Sequence, residues 1–137
     1  MIAQKITPFL WFDGNAEAAA EFYTSIFPNS KITKVVQNPS GGPGPEGSVL
    51  TVQFELEGLQ FVGLNGGPHF KFTEAVSFVV NCDSQDEVDY YWEKLTAGGA
   101  EVECGWLKDR FGLSWQIGPK LLFKLLGDSD HAKVQRV

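Results

Sequence analysis

The chain repeats itself. Residues Phe9 to Ile32 and Phe78 to Val102 read alike: a short apolar strand, an acidic or amide cap, then a helix carrying an aromatic pair. Phe22-Tyr23 and Tyr91-Trp92 stand at the separation of Phe9 and Phe78, 91 − 22 = 69 residues, about half of the 137. A duplicated unit restricts the fold to two copies of one supersecondary module. Paired modules can also enclose a cavity between them, so the repeat bears on function as well as on architecture.

Each copy can be read in detail. Residues 5–12 are β-prone, with Pro8 arguing for an edge position, and Asp13-Gly14-Asn15 turns the chain and offers a helix cap. Ala16, Ala19, Ala20, Tyr23, Ile26 and Phe27 then recur at helical spacing, and Pro28-Asn29 stops the helix. A strand from Lys31 to Gln37 leads into Gly41 to Gly47, whose breakers predict a mobile loop. Residues 48–56 and 59–65 alternate with period two about Glu57-Gly58, the pattern of a tight hairpin. In the second copy, Ala75 to Asn81 is a strand and Ser84-x-x-Glu87 opens a helix as a capping box. Val88, Tyr91, Trp92 and Leu95 make the buried stripe of that helix. Strands near 100–104, 106–109 and 113–117 follow, and Leu121 to Leu126 and residues 130–137 carry helical patterns. Each copy is therefore βαβββ.

Charge and composition exclude several roles. The net charge of −6, without a basic cluster, argues against a nucleic-acid partner. No apolar run approaches the ~18 residues that span a bilayer. Met1 to Lys5 lacks the pattern of a signal peptide, and Cys82 and Cys104 form neither a CxxC nor a disulfide framework. The expectation is a cytoplasmic protein with two free thiols and no membrane association.

Trp11-Phe12-Asp13-Gly14-Asn15-Ala16-Glu17, Leu64-Asn65-Gly66-Gly67-Pro68 and the run from Cys104 to Gln116 resemble the PhnB-like branch of the vicinal oxygen chelate superfamily, which includes glyoxalase I, extradiol dioxygenases and bleomycin-resistance proteins. The resemblance covers nearly the whole chain. It implies an α+β fold of two tandem βαβββ modules forming a curved mixed sheet around a cleft, helices on the outer face. A single domain then spans 1–137, with module 1 at about 5–68, module 2 at about 74–118 and a tail at 119–137. A homodimer is also implied. Where such proteins hold a metal, its ligands come from the first and last strands of each module, positions that fall here on Ile6, Val62, Ala75 and Gln116. Three of the four lack a donor atom and Gln116 offers only an amide oxygen, so neither metal nor cofactor is expected. His69 and His131 fall in a loop and a tail, as surface residues do.

Strand parity gives the faces. Leu56 pairs with Leu59, Glu55 with Gln60 and Phe54 with Phe61, so Val52, Phe54, Leu56 and Phe61 pack beneath a helix. Thr51, Gln53, Glu55, Gln60 and Val62 take the other face, either lining the cleft or simply solvated. In the second copy, a four-residue turn at 109–112 would set Leu107 opposite Ser114, Trp106 opposite Trp115 and Gly105 opposite Gln116. Ser114, Gln116, Gly105 and Leu107 then face the cleft, with both tryptophans on the helix side.

The leading expectation is a metal-free binding protein for a small polar or aromatic ligand, contacted by Gln53, Glu55, Gln60, Ser77, Ser114 and Gln116. The alternatives are a metal-dependent enzyme of the superfamily, an enzyme using Cys104 as nucleophile or Glu55 as base, and a scaffold acting through dimer contacts. Similar sequences also carry the label 3-demethylubiquinone 3-methyltransferase. Methyl transfer from S-adenosylmethionine ordinarily uses a Gly-rich turn between strand and helix, whereas residues 41–47 contain two prolines and lead into a strand.

Overall fold

Ala16, Ala19, Ala20, Tyr23 and Ile26 line one side of a helix, and in the computed structural model, which describes residues 4–119, that helix is α1 (Ala16–Ile26) with all five buried. Its first turn is not capped by the Asp13-Gly14-Asn15 segment as expected, since the Asn15 side chain makes no cap bond. The cap comes from a strand instead. Asn65 Oδ1 accepts from Ala16 N at 2.9 Å, and Asn65 Nδ2 donates to Val49 O at 3.0 Å. One amide thus ties the helix start to two strands.

Those strands belong to a four-stranded sheet of β1 (Phe9–Phe12), β2 (Ser30–Gln37), β3 (Val49–Leu56) and β4 (Leu59–Asn65), in the order β1-β4-β3-β2. β1 runs parallel to β4 and the other pairs are antiparallel. The order repeats in β5 (Ser77–Cys82), β6 (Ala100–Glu101), β7 (Trp106–Lys108) and β8 (Ser114–Pro119), arranged β5-β8-β7-β6 with α2 (Gln85–Thr96) after the first strand. Both units are therefore βαβββ with a mixed sheet, an α+β architecture. They divide between Lys71 and Phe72. No helix among the described residues is long and apolar enough to cross a membrane.

Alternation decides which face meets the helix. Val52, Phe54, Leu56 and Phe61 are buried; Tyr23 stacks on Phe54 with ring centroids 6.1 Å apart, and Phe54 on Phe61 at 5.3 Å. The expected hairpin register holds: Glu55 pairs with Gln60 across Glu57-Gly58, whose φ values of 50° and 84° carry the signs of a type I′ turn. In α2, Ser84 Oγ accepts from Glu87 N at 3.2 Å, and Tyr91 and Leu95 form the buried side. Val88 and Trp92 are only half-buried, and Trp92 Nε1 donates to Glu101 Oε1.

Two expectations need correction. β1 begins at Phe9, not residue 5, because Pro8 has no N–H to give the ladder; its carbonyl still accepts from Val62 N at 3.0 Å. β6 is two residues long because the chain turns at once, with Cys104 (φ 59°) and Gly105 (φ 80°) both left-handed. The Gly/Pro-rich segment is a loop, as expected, and buried Asn38 reaches into it: Nδ2 donates to Ser48 Oγ at 3.0 Å, and Oδ1 accepts from Gly44 N at 3.2 Å. The helical patterns at Leu121 to Leu126 and 130–137, and His131, lie outside the described residues.

Candidate functional site

The second hairpin determines which side chains share a face, and its register differs by one residue from the expected one. Trp106 pairs with Gln116, Leu107 with Trp115 and Lys108 with Ser114. The cause is Asp109. Its N–H donates to Leu113 O, its carbonyl accepts from Gly112 N, and Gly112 takes φ 89°, giving a three-residue loop with a left-handed glycine. Asp109 is itself buried. Oδ1 accepts from Phe111 N at 2.8 Å and Leu113 N at 3.1 Å, and Oδ2 accepts from Trp115 Nε1 at 2.9 Å. Leu107 accordingly lies on the buried helix side with Trp115, Ile117 and Cys82, not on the open face. Trp106 takes the open face beside Gln116, the reverse of the parity expected for both.

The six residues expected to contact a ligand fall in two groups, one in each unit. In the first, Gln53, Glu55 and Gln60 are half-buried on the sheet face away from α1, and Gln60 Nε2 donates to Glu55 Oε1. Gln60 is held at its backbone too. Gln4 Oε1 accepts from Gln60 N and Gln4 Nε2 donates to Gln60 O, both at 3.2 Å, so one side-chain amide mimics a strand partner. The same face carries Phe9, 59% exposed and paired in register with Val62, and Trp11, paired with Leu64. Trp11 is fixed by Nε1 donation to Gly67 O at 2.9 Å and by edge-on contact with Phe70 at 4.8 Å.

In the second unit Ser77, Ser114 and Lys108 are successive partners across β5, β8 and β7. Gln116 Nε2 donates to Ser77 Oγ at 2.9 Å, while buried Ser114 Oγ has no hydrogen-bond partner among the described residues. Lys108 Nζ pairs with Glu74, and that ammonium holds the Glu74 carboxyl below its ordinary value. Sequence reading missed Lys108 because the shifted register hid its place beside Ser114. It missed Gln4 and Asn65 because an amide that replaces a backbone partner leaves no pattern in a sequence.

The donor set can be tested against a metal. Val62 and Gln116 lie in β4 and β8, beside Phe9 and Val79 in register. Ile6, 83% exposed, and Ala75 lie outside the strands. Among the described residues, no three His, Cys, Asp or Glu side chains gather as metal ligands would, so those present do not fit such a centre. His69 is an exposed loop residue and Cys104 an exposed turn residue. Cys82 is a buried thiol, pushed up to about 11 by burial first and then by Glu87 and Asp83. Gly41 to Gly47 joins two antiparallel strands, β2 and β3, and opens no helix.

A family model described as 3-demethylubiquinone-9 3-methyltransferase matches residues 4–118. The PhnB protein from Bacillus cereus is 38% identical over 85% of this chain and 99% of its own, with a TM-score of 0.77. The fosfomycin resistance protein FosX from Listeria monocytogenes is 20% identical, with 93% of this chain and 100% of that one covered and a TM-score of 0.60. FosX from Mesorhizobium loti, at 11% identity and the same coverage, has a TM-score of 0.63. No curated protein matches the chain. The chain belongs to the 3-demethylubiquinone-9 3-methyltransferase (PhnB-like) family and has the βαβββ fold of the vicinal oxygen chelate superfamily.

Proposed function

We propose that this member of the PhnB-like family is a small-molecule-binding protein that works without a metal, its contacts drawn from Gln53, Glu55, Gln60, Ser77, Ser114 and Gln116. The observation that carries the reading is the donor set. The four positions at which the fold would present metal ligands hold Ile6, Val62, Ala75 and Gln116, while the open faces carry amides, hydroxyls and a carboxylate. Such groups select a ligand by hydrogen bonding. Fold neighbours named for fosfomycin resistance fit a role directed at small molecules. Methyl transfer draws no support from the chain, since residues 41–47 cap no helix and so form no nucleotide-type turn.

A cytoplasmic homodimer belongs to the same proposal. The test has two arms, both on untagged protein purified without chelators. Plasma mass spectrometry after incubation with zinc, nickel, manganese or iron should find far less than one metal per chain. A ligand at a hundredfold excess over its Kd should add about 2.7 kcal/mol of stability, a Tm rise of several degrees. Stoichiometric metal retained after dialysis would refute the metal-free reading.

A further inference from the structure

Ser77, Ser114 and Lys108 are one row. They are register partners on three adjacent strands, so their side chains leave the same face of the sheet at about 4.8 Å spacing. The row is rich in donors. Gln116 Nε2 donates to Ser77 Oγ, which leaves the Ser77 hydroxyl hydrogen free to be given elsewhere. Lys108 supplies an ammonium with three donors. Between them stands Ser114, 1% exposed, with an Oγ that meets no partner among the described residues. A buried hydroxyl without a partner is destabilising, so its retention calls for an acceptor that the described chain does not supply.

One acceptor already meets the row. The Glu74 carboxylate, just before β5, pairs with Lys108, and both side chains are solvent-accessible. It shows which chemistry this ammonium receives, and an exposed pair of that kind separates at small cost. We propose that the Ser77–Ser114–Lys108 row binds the carboxylate of a small organic acid, and that Glu74 occupies Lys108 until the ligand displaces it. The proposal rests on the small-molecule-binding reading and adds to it a ligand class and an internal competitor. Serine hydroxyls and an ammonium in line match a planar carboxylate, whose two oxygens can be shared between Ser114 and its neighbours. Gln116, held against Ser77, positions that serine.

Benzoate serves as the probe and benzamide as its neutral counterpart. Each is titrated into the full, 15N-labelled chain at pH 7 and fixed ionic strength while the amides of Ser77, Lys108, Ser114 and Gln116 are followed by NMR. Benzoate should move these amides to saturation and benzamide should not. Glu74→Gln should lower the half-saturating benzoate concentration about two- to fivefold, the range of an exposed ion pair. Glu46→Gln, an equal change of charge in the first unit, should leave it unaltered. Lys108→Met should abolish saturation. Ser114→Ala should weaken binding with no loss of Tm, because the hydroxyl it removes makes no bond within the described chain. Equal responses to benzoate and benzamide, no response to benzoate, or an unchanged midpoint in Glu74→Gln would each overturn the proposal. A thermal shift with neutral ligands alone would sink it while leaving the binding reading intact, whereas stoichiometric metal would remove only the metal-free reading.

Discussion

Replacing Asp109 by alanine should be among the most damaging single changes in the second unit, and the size of the effect follows from its three bonds. Phe111 N, Leu113 N and Trp115 Nε1 all donate to the Asp109 carboxylate. A hydrogen bond to a charged group contributes about 1.5–3 kcal/mol, so a naive sum is about 4–9 kcal/mol. The sum overstates the loss, because water can reach the part-buried Phe111 N, whereas the Leu113 and Trp115 donors are buried. Counting those two gives about 3–6 kcal/mol, a large share of the roughly 5–15 kcal/mol of a typical domain. Asp109→Asn should cost less, about 2–3 kcal/mol, since an amide keeps one oxygen for the turn but sets an N–H against the indole N–H. Urea unfolding followed by far-UV circular dichroism measures both. Trp115→Phe removes the indole donor, so the Asp109→Asn and Trp115→Phe effects should fall short of additivity by at least 1 kcal/mol, roughly one hydrogen bond. A loss below about 1 kcal/mol for Asp109→Ala, against the same scale, would refute the argument that this carboxylate organises the turn.

Gly66 lies so close to Trp11 that a Cβ would stand 2.3 Å from its ring, so Gly66→Ala should cost about 1–3 kcal/mol and alter near-UV dichroism. Asn65→Ala should cost about 1–2 kcal/mol by urea unfolding, as loss of a helix cap does, because it frees Ala16 N and Val49 O together. At pH 8 a disulfide reagent should modify one thiol per chain rapidly, exposed Cys104, with Cys82 reacting only on unfolding. The raised Cys82 value also makes its contribution to stability fully present below about 9 and lost as pH rises towards about 11; Cys82→Ser should flatten urea midpoints across that window. The lowered Glu74 value works in the other direction, giving stability above the ordinary glutamate range that fades as pH falls. Lys108→Met should raise the Glu74 titration midpoint seen by NMR.

Much of the fold was legible because it rests on periodicity. The 3.6-residue stripe of α1 and the period-two alternation of β3 and β4 are properties of neighbouring residues, and the Glu57-Gly58 turn sets their pairing without help from afar. What was not legible depends on distant partners. Asn15 had the composition of a helix cap, yet the bond came from Asn65, 49 residues beyond the Ala16 N–H that it receives. Residues 41–47 had the composition of a loop, but the Asn38 amide that bonds Gly44 N could not be read from it. Of the candidate site, the Glu55–Gln60 pair could be inferred from the hairpin, whereas the Ser77–Gln116 bond required knowing that β5 runs beside β8.

The misplacement of Trp106 shows how one residue of loop decides which chemistry a face displays. In the first unit Gln53 pairs with Val62, and in the second Trp106 pairs with Gln116. From Val62 to Gln116 the separation is 116 − 62 = 54, but from Gln53 to Trp106 it is 106 − 53 = 53, so the second hairpin holds one extra residue. A two-residue turn applied there would place Leu107 among the polar groups and remove Lys108 from Ser114. The extra residue is accommodated at left-handed Gly112 while the Asp109 carboxylate closes the loop around it. Deleting Gly112 takes that residue back out of the loop, so Arg110-Phe111 remains as a two-residue turn with Asp109 still opposite Leu113 and Lys108 still opposite Ser114. The row of Ser77, Ser114 and Lys108 should therefore survive, and the cost should fall on stability, because the loop loses its left-handed residue. A benzoate response retained in a chain with a lower urea midpoint is the expected outcome. Cross-strand nuclear Overhauser effects placing Leu107 opposite Ser114 in this variant would refute the reasoning that loop length fixes the register.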